Sequence, residues 1–103
     1  MYALVLTTIQ SKKDGQKLAQ GLLKEGLVAC VNILGPIESH FVWKKKICCE
    51  KEYQLMMKTK EQCFEKVKAY LLKHHPYEVP EIILLPIKKG WKKYLEWIDE
   101  VLS

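Results

Sequence analysis

The spacing of apolar residues in this chain switches repeatedly between a strand period and a helix period, and the order of these switches limits the fold more than any other feature. Residues 1–8 are all apolar, aromatic or β-branched, which predicts a buried strand. Ser11, with an acidic residue three positions later, is typical of a helix N-cap, and Gly26 stands where a glycine commonly follows a helix. A first helix is therefore predicted between them, and three leucines share its buried side: Leu18, Leu22 and Leu23.

A long β-hairpin is predicted in the middle of the chain. Its first strand comprises residues 27–33 and, after a bend or bulge at Gly35-Pro36, residues 37–43. Residues 44–46 form the tip, and residues 47–59 form the second strand, in which side chains alternate between two faces. This hairpin is longer than the core of a 103-residue domain needs.

The second half of the chain continues with a helix, a strand and a final helix. A second capping box, Thr59 to Gln62, predicts the start of a helix that ends near His74. A fourth strand is predicted at residues 79–87, which prolines interrupt at both ends. Gly90 precedes a final helix with apolar residues at helical spacing. The predicted order is therefore β-α-β-β-α-β-α.

The first six elements in this order are the split βαβ pattern of ferredoxin-like folds. We predict a single domain, residues 1–103, of the α+β class: a ferredoxin-like βαββαβ sandwich with an extra C-terminal helix. Two helices cover one sheet face and leave the other bare unless something covers it. The aromatic residues exceed what two helices can cover, and four contribute to this surplus: Phe41, Trp43, Tyr53 and Trp97. Such surplus apolar surface favours an interface, so we expect a homo-oligomer.

The basic residues are all lysines, which argues against a nucleic-acid partner. The chain has 17 lysines, no arginine and a net charge of +5, whereas arginine is the usual reader of guanine and the better stacker on bases. The βαββαβ order also occurs in RNA-recognition modules, but the third strand, CEKEYQLMMK, lacks their aromatic motif. We therefore expect no nucleic-acid partner.

Membrane association and enzymatic activity are not expected either. No uncharged run is long enough to span a bilayer, and no basic region precedes the first apolar stretch as in a signal peptide. We therefore expect a cytoplasmic protein without a signal peptide or a membrane partner. The motifs of a nucleophile elbow, a P-loop and a dinucleotide-binding loop are missing, so we expect no enzyme. The cysteines lack CxxC spacing and are interpreted as buried small hydrophobic residues in a reducing compartment: Cys30, Cys48, Cys49 and Cys63.

The densest cluster of potential ligands is the segment HHPYEVPE, from His74 to Glu81. It carries two imidazoles, one phenol and two carboxylates within eight residues. Neutral imidazole is the commonest metal ligand, and a carboxylate can complete a site for Cu(II) or Zn(II). A mononuclear site would use His74 or His75 with Glu81 and groups from elsewhere, while helix capping, packing and subunit contacts are the alternative roles. His40, the third histidine, is interpreted as a surface strand residue.

Four segments match, in order and at the same spacing, the sequence pattern of one protein family. They are Ala29-Cys30-Val31-Asn32; Trp43 with Glu50, Glu52 and Lys58-Thr59; His75-Pro76-Tyr77 with Pro80-Glu81; and Tyr94-Leu95-Glu96-Trp97. Each segment alone is a weak signal, but the set covers nearly the whole chain and is specific. In these residues the chain resembles the CutA family, the divalent-cation tolerance proteins.

The resemblance implies a PII-like homotrimer in which the long hairpin reaches a neighbouring subunit. It also implies a role with divalent metal ions, notably copper, without an established enzymatic activity. In some family members two histidines, a glutamate and a cysteine have been assigned as metal ligands. The matching positions here are His74, His75, Glu81 and Thr7.

Two residues depart from the family pattern. Thr7 stands where the cysteine ligand is expected, and since a hydroxyl is a poor ligand for copper, we expect a weakened site. Lys45 stands at a hairpin tip where the family often has glycine. If the turn requires positive φ at this position, lysine costs roughly 1 kcal/mol, whereas a different turn type would avoid this cost.

Analogy with PII proteins supplies an alternative function. In this interpretation the chain forms a signalling trimer that binds a small anionic ligand in clefts between subunits. Lys58, Tyr77 and Glu81 would line such a cleft.

Overall fold

The computed structural model describes residues 1–102 as one antiparallel sheet with helices packed on it. The strands are β1 (Tyr2–Ile9), β2 (Cys30–Trp43), β3 (Lys46–Lys60) and β4 (Ile83–Pro86), and the helices are α1 (Lys12–Lys24), α2 (Phe64–His74) and α3 (Lys92–Leu102). The strands lie in the order β2-β3-β1-β4, and each neighbouring pair is antiparallel. The predicted α+β ferredoxin-like sandwich with an extra C-terminal helix is confirmed. Within residues 1–102, no helix combines the length and apolar character needed to cross a membrane.

The core lies between the sheet and the helices α1 and α2. Every second residue of β1 is buried, because successive side chains of a strand point to opposite faces of the sheet. Fully buried apolar side chains from β1, α1, β3 and α2 meet here: Val5, Ile9, Leu22, Leu55, Met57, Val67 and Leu71. This is the sheet face that the two helices were predicted to cover.

The first predicted helix start is confirmed and the second is wrong. Ser11 Oγ accepts a hydrogen bond of 3.1 Å from the backbone N–H three residues later, and Gly26 follows α1 with φ of 69°. Thr59, by contrast, belongs to β3, and its hydroxyl donates a 2.7 Å hydrogen bond to the carbonyl of Leu27. A short 3-10 turn at Glu61–Cys63 then leads into α2. The pleat of β3 turns Thr59 inward, where a buried hydroxyl needs a partner.

The fourth strand is shorter than the predicted range of residues 79–87. Only Ile83–Pro86 pair with β1, opposite Ala3 to Leu6. Pro80 lacks a backbone N–H and restricts the residue before it, which disfavours a continuous ladder. Residues 79–81 instead line a cleft that is described below.

Helix α3 covers one end of the second sheet face. Ile98 of this helix is fully buried. Asp99 accepts a 2.5 Å hydrogen bond from the hydroxyl of Tyr2 and pairs with Lys60 Nζ at 2.6 Å. These contacts attach α3 to the neighbouring ends of β1 and β3.

The remainder of the second face exposes apolar side chains. Three aliphatic residues there are 44–46% exposed: Leu34, Ile83 and Leu85. The predicted aromatic surplus is confirmed for three residues that are 39–40% exposed: Phe41, Trp43 and Trp97. It is wrong for Tyr53, which packs against the core because its position on β3 faces the helices.

Beyond the sheet, β2 and β3 continue as a two-stranded ribbon, residues 37–52. β1 pairs with β3 only from Tyr53 onward, so within the described chain the ribbon strands pair only with each other. The predicted bulge at Gly35-Pro36 is confirmed by a register shift between Leu34 and Ile37. Gly35 has φ of 149°, and a Cβ at this position would lie 2.7 Å from the ring of Tyr53. Only glycine fits here.

The ribbon turn places two lysines in the left-handed region, Lys44 with φ of 51° and Lys45 with φ of 66°. Two-residue turns of this kind favour Asn-Gly, and an L side chain in this region costs about 1 kcal/mol. Lys45→Gly is therefore expected to raise the free energy of unfolding by about 1 kcal/mol in urea titrations. Lys46→Gly is the matched control, because Lys46 lies in β3 and glycine there should cost roughly 0.5–1 kcal/mol. Equal losses in both variants would contradict the prediction.

Candidate functional site

A cleft of about 710 Å³ lies between the ribbon and the segment 77–81. The ribbon contributes the aromatic rings of Phe41 and Trp43. Three carboxylate side chains also line the cleft: Glu52, Glu78 and Glu81. No lysine belongs to this lining among the residues that the structure describes. In a chain with a net charge of +5, this is a local concentration of negative charge.

Glu52 and Tyr77 are held together at the base of the cleft. Glu52 is only 7% exposed, and its Oε2 accepts a 2.6 Å hydrogen bond from the hydroxyl of Tyr77. Burial, followed by this hydrogen bond and the charge of Glu52, holds the pKa of Tyr77 well above its usual range. Tyr77 therefore remains a protonated donor that orients the Glu52 carboxylate.

Glu81 is the second partly buried carboxylate of the cleft. Burial raises the pKa of Glu81 above its ordinary value of 4.5, and the negative charge of Glu52 raises it further. The negative charge of Glu52 disfavours the ionised form of Glu81, and a cation placed between the two carboxylates would offset this repulsion. Chemically, this arrangement can hold a cation through oxygen ligands.

His75 positions the segment that carries Tyr77. The backbone N–H of Tyr77 donates to His75 Nδ1 at 3.1 Å, and His75 Nε2 lies 2.9 Å from the carbonyl oxygen of Thr8. Because an N–H can only donate and a carbonyl can only accept, His75 is neutral with its proton on Nε2. Burial lowers the pKa of His75, although the Thr8 bond and the charge of Glu52 oppose this shift. Both ring nitrogens are therefore occupied within the chain.

His74 lies in a different part of the molecule. It is exposed, and its ring packs on Tyr70 with 4.2 Å between the ring centroids. This ring borders a groove that Lys24 and Lys73 also line. Three lysines of this lining, Lys24, Lys66 and Lys73, outnumber its one carboxylate, Glu25, which disfavours a cation at this position.

The structure does not gather the three predicted ligands, His74, His75 and Glu81, into one site within residues 1–102. One group of described residues places three potential ligand atoms within 4.8 Å of one another, but this group contains none of the three predicted ligands. Thr7 is fully buried on the helix side of the sheet, and its Oγ1 has no hydrogen-bond partner among the described residues. Metal binding by the three residues stays a prediction, which the cleft supports for Glu81 alone.

No motif in the sequence marks Glu52 as a site residue. Glu52 was noted only as part of the hairpin pattern. A usable signal was available, because Glu52 lies on a strand close to the core and buried carboxylates are rare without a partner. The partner, Tyr77, is 25 residues away in sequence, and only the fold brings it close.

Known proteins match this chain along nearly its whole length. A family model described as CutA1 divalent ion tolerance protein matches residues 3–101. The divalent-cation tolerance protein CutA of Thermus thermophilus is 38% identical over 97% of this chain and 97% of its own. The chloroplastic protein CutA 1 of rice (Oryza sativa) is 41% identical over 92% of this chain. The chain spans only 54% of the length of that rice protein and 52% of the chloroplastic CutA of Arabidopsis thaliana.

Solved structures show the same fold. The structure of the periplasmic divalent cation tolerance protein CutA from Archaeoglobus fulgidus superposes with a TM-score of 0.97 at 36% identity, and all of both chains is covered. The divalent cation tolerance protein Cut A1 from Thermus thermophilus gives 0.96 at 37% identity, again over all of both chains.

Proposed function

Because this chain belongs to the CutA1 divalent ion tolerance family, we propose that it is a non-enzymatic homotrimer that binds a divalent cation in the cleft. The proposal rests on one observation, the pair of carboxylates of Glu52 and Glu81 in the same cleft. The described residues that line this cleft include no lysine. A bound cation would offset the repulsion that contributes to the raised pKa of Glu81. Tyr77 holds one of the two ligands in place.

Copper is the ion that we propose. Cu(II) has the highest affinity in the first-row divalent series for sites of nitrogen, oxygen and sulfur ligands. Glu52 and Glu81 would anchor the ion through oxygen. His75 would join them only by giving up its bonds to Thr8 and Tyr77, and His74 would need to leave its contact with Tyr70. The geometry therefore favours the two glutamates as the first ligands.

The exposed apolar surface supports assembly with further copies of the chain. At the ribbon end, Phe41 is 40% and Trp43 is 39% exposed. A two-stranded ribbon is marginally stable in water by itself, so contact with another subunit would stabilise it. The open part of the second sheet face offers further apolar area. The number of three subunits follows from the family resemblance.

The PII-like alternative has less support. Lys58 would have to contact the anionic ligand, but its Nζ hydrogen-bonds to Asn32 Oδ1 on the neighbouring strand, and it does not line the cleft with Tyr77. The carboxylates of the cleft repel anions. A cation therefore fits this lining better than a small anionic metabolite does.

The cellular location of this chain stays a prediction. Relatives carry the words chloroplastic and periplasmic in their names, so family membership alone does not decide location. The prediction that the four cysteines are buried is wrong, since three are half-buried and Cys49 is exposed. We propose the cytoplasm, because a reducing compartment keeps such accessible thiols free.

Calorimetric titration of the chelator-treated protein with Cu(II) and Zn(II) tests the cleft. We expect binding to the wild type and a loss of affinity of at least about tenfold in Glu81→Gln. The variant should fold, because burial already disfavours the charged form of Glu81. Glu65→Gln is the matched control, since Glu65 lies on α2 and pairs with Lys68 at 2.8 Å.

Native mass spectrometry and thermal shifts complete this test. We expect a trimer, and a monomer would contradict the proposed assembly. Unchanged metal affinity in Glu81→Gln would contradict the cleft as the site. A rise in Tm with a nucleotide but not with metal would support the PII-like alternative instead.

A further inference from the structure

The ribbon carries a cluster of metal-ligand types that includes neither Glu52 nor Glu81, although one of its members, His40, also lines the cleft. Within residues 1–102, Glu38, His40 and Cys49 are the group whose potential ligand atoms all lie within 4.8 Å of one another. His40 Nε2 lies 2.8 Å from Glu38 Oε1 and 3.7 Å from Cys49 Sγ. All three residues are exposed, so an ion in solution can reach them.

The backbone of the ribbon fixes this arrangement. His40 and Cys49 are direct cross-strand partners, so their side chains leave the same face. Glu38 precedes His40 by two residues on β2 and therefore shares that face. Cys48 points to the opposite face, where its Sγ contacts the carbonyl of Lys46 at 3.7 Å. The two-residue turn sets the register that brings the three ligand types together.

The distances suit a tetrahedral ion. Zinc bonds of about 2.0–2.3 Å to oxygen, nitrogen and sulfur place neighbouring ligand atoms about 3.3–3.6 Å apart. The nitrogen–sulfur distance of 3.7 Å already agrees with this spacing. The Glu38 oxygen, now in a 2.8 Å hydrogen bond with His40, has to move about 0.5 Å farther from that nitrogen, and it lies within 4.8 Å of the Cys49 sulfur. An exposed glutamate does this by side-chain rotation.

From this geometry we infer that Glu38, His40 and Cys49 form a second metal site that takes a borderline divalent ion of the Zn(II) class. One thiolate, one imidazole and one carboxylate are the ligand mixture that such ions prefer, whereas Mg(II) and Ca(II) require oxygen ligands. Water completes the fourth position. On binding, the Cys49 thiol releases its proton to solvent, and His40 coordinates the ion through an Nε2 that carries no proton. Affinity therefore increases with pH.

Co(II) substitution tests this site, because a thiolate ligand produces a near-ultraviolet charge-transfer band that a carboxylate site lacks. Anaerobic titration with Co(II), followed by competition with Zn(II), measures the affinity in phosphine-reduced protein. We expect the band in the wild type and a loss of affinity of at least about 100-fold in Cys49→Ser and His40→Ala. Cys48→Ser is the matched control and should keep the band, because its sulfur lies on the other face.

Two further outcomes separate this site from the proposed cleft. Glu81→Gln should retain the band, so failure of the cleft proposal leaves the ribbon site standing. The absence of a band in the wild type, or its survival in Cys49→Ser, would overturn the ribbon site without touching the cleft. Urea unfolding checks that each variant is folded. We expect folded variants, because substitutions at exposed positions usually change stability little.

Discussion

His75→Ala is expected to lower the free energy of unfolding by about 3 kcal/mol at neutral pH. The variant loses two hydrogen bonds, to the carbonyl of Thr8 and to the backbone N–H of Tyr77. Each is worth about 1 kcal/mol, and buried partners left without a bond add to the cost. It also loses the edge contact between the His75 and Tyr77 rings, whose centroids are 4.6 Å apart. Urea unfolding of the wild type and the variant at pH 7 measures this difference.

The same residue should make stability depend on pH. The pKa of His75 is lowered in the folded state from its ordinary value of 6.5, mainly by burial. The unfolded chain therefore binds more protons as the pH falls below this value. The contribution of His75 is complete above pH 6.5 and is lost as the pH falls toward the lowered pKa of the folded state. His75→Ala should therefore show a flatter decline in stability between neutral and mildly acidic pH.

His74→Ala is the matched control for both measurements. His74 is the adjacent histidine, but it is exposed and contacts only the ring of Tyr70 among the described side-chain interactions. We expect a change in the free energy of unfolding within about 0.5 kcal/mol at pH 7. If His74→Ala flattened the pH dependence while His75→Ala did not, the assigned role of His75 would be wrong.

Thr7→Val is expected to raise the free energy of unfolding by about 1–2 kcal/mol. Thr7 is fully buried, and its Oγ1 has no hydrogen-bond partner among the described residues. A buried hydroxyl without a partner costs about 1–3 kcal/mol, and valine replaces it with a methyl group of similar shape. Thermal and urea unfolding of the metal-free protein measure the gain.

Thr59→Val makes the same chemical change where the hydroxyl has a partner. Thr59 is also fully buried, but its Oγ1 donates a 2.7 Å hydrogen bond to the carbonyl of Leu27. We expect this variant to lose about 1 kcal/mol. Opposite signs for the two valine variants are the expected result. A loss of stability in Thr7→Val would mean that this hydroxyl is hydrogen-bonded in the folded protein.

Local sequence signals accounted for most of the fold. The cap at Ser11, the glycine after α1 and the bulge at Gly35-Pro36 were all confirmed, because each depends on neighbouring residues only. Thr59 to Gln62 has the sequence pattern of a capping box, but the prediction that Thr59 caps a helix was wrong. There, a hydrogen bond to Leu27, 32 residues away, uses the hydroxyl that would have capped the helix.

The candidate sites depended much less on local signals. The segment from His74 to Glu81 was recognised as rich in ligands, yet the fold places His74 beside Tyr70 and Glu81 in the cleft. Adjacent residues at a helix end diverge, since the chain changes direction after α2. His40 was interpreted as a surface residue, and that description is accurate. Its proximity to Cys49 could be seen only from the strand register.

The sequence by itself determined the order of strands and helices, the turn at the ribbon tip and the family to which the chain belongs. These properties follow from periodicity and from short motifs, which residues close in the chain carry. Only the tertiary structure decided which polar groups meet: Glu52 with Tyr77, His75 with Thr8, and Glu38 and His40 with Cys49. Such meetings depend on register, sheet twist and helix packing, which bring together residues far apart in sequence. Burial then sets the chemistry of these groups, because desolvation acts on a folded environment and not on a sequence pattern.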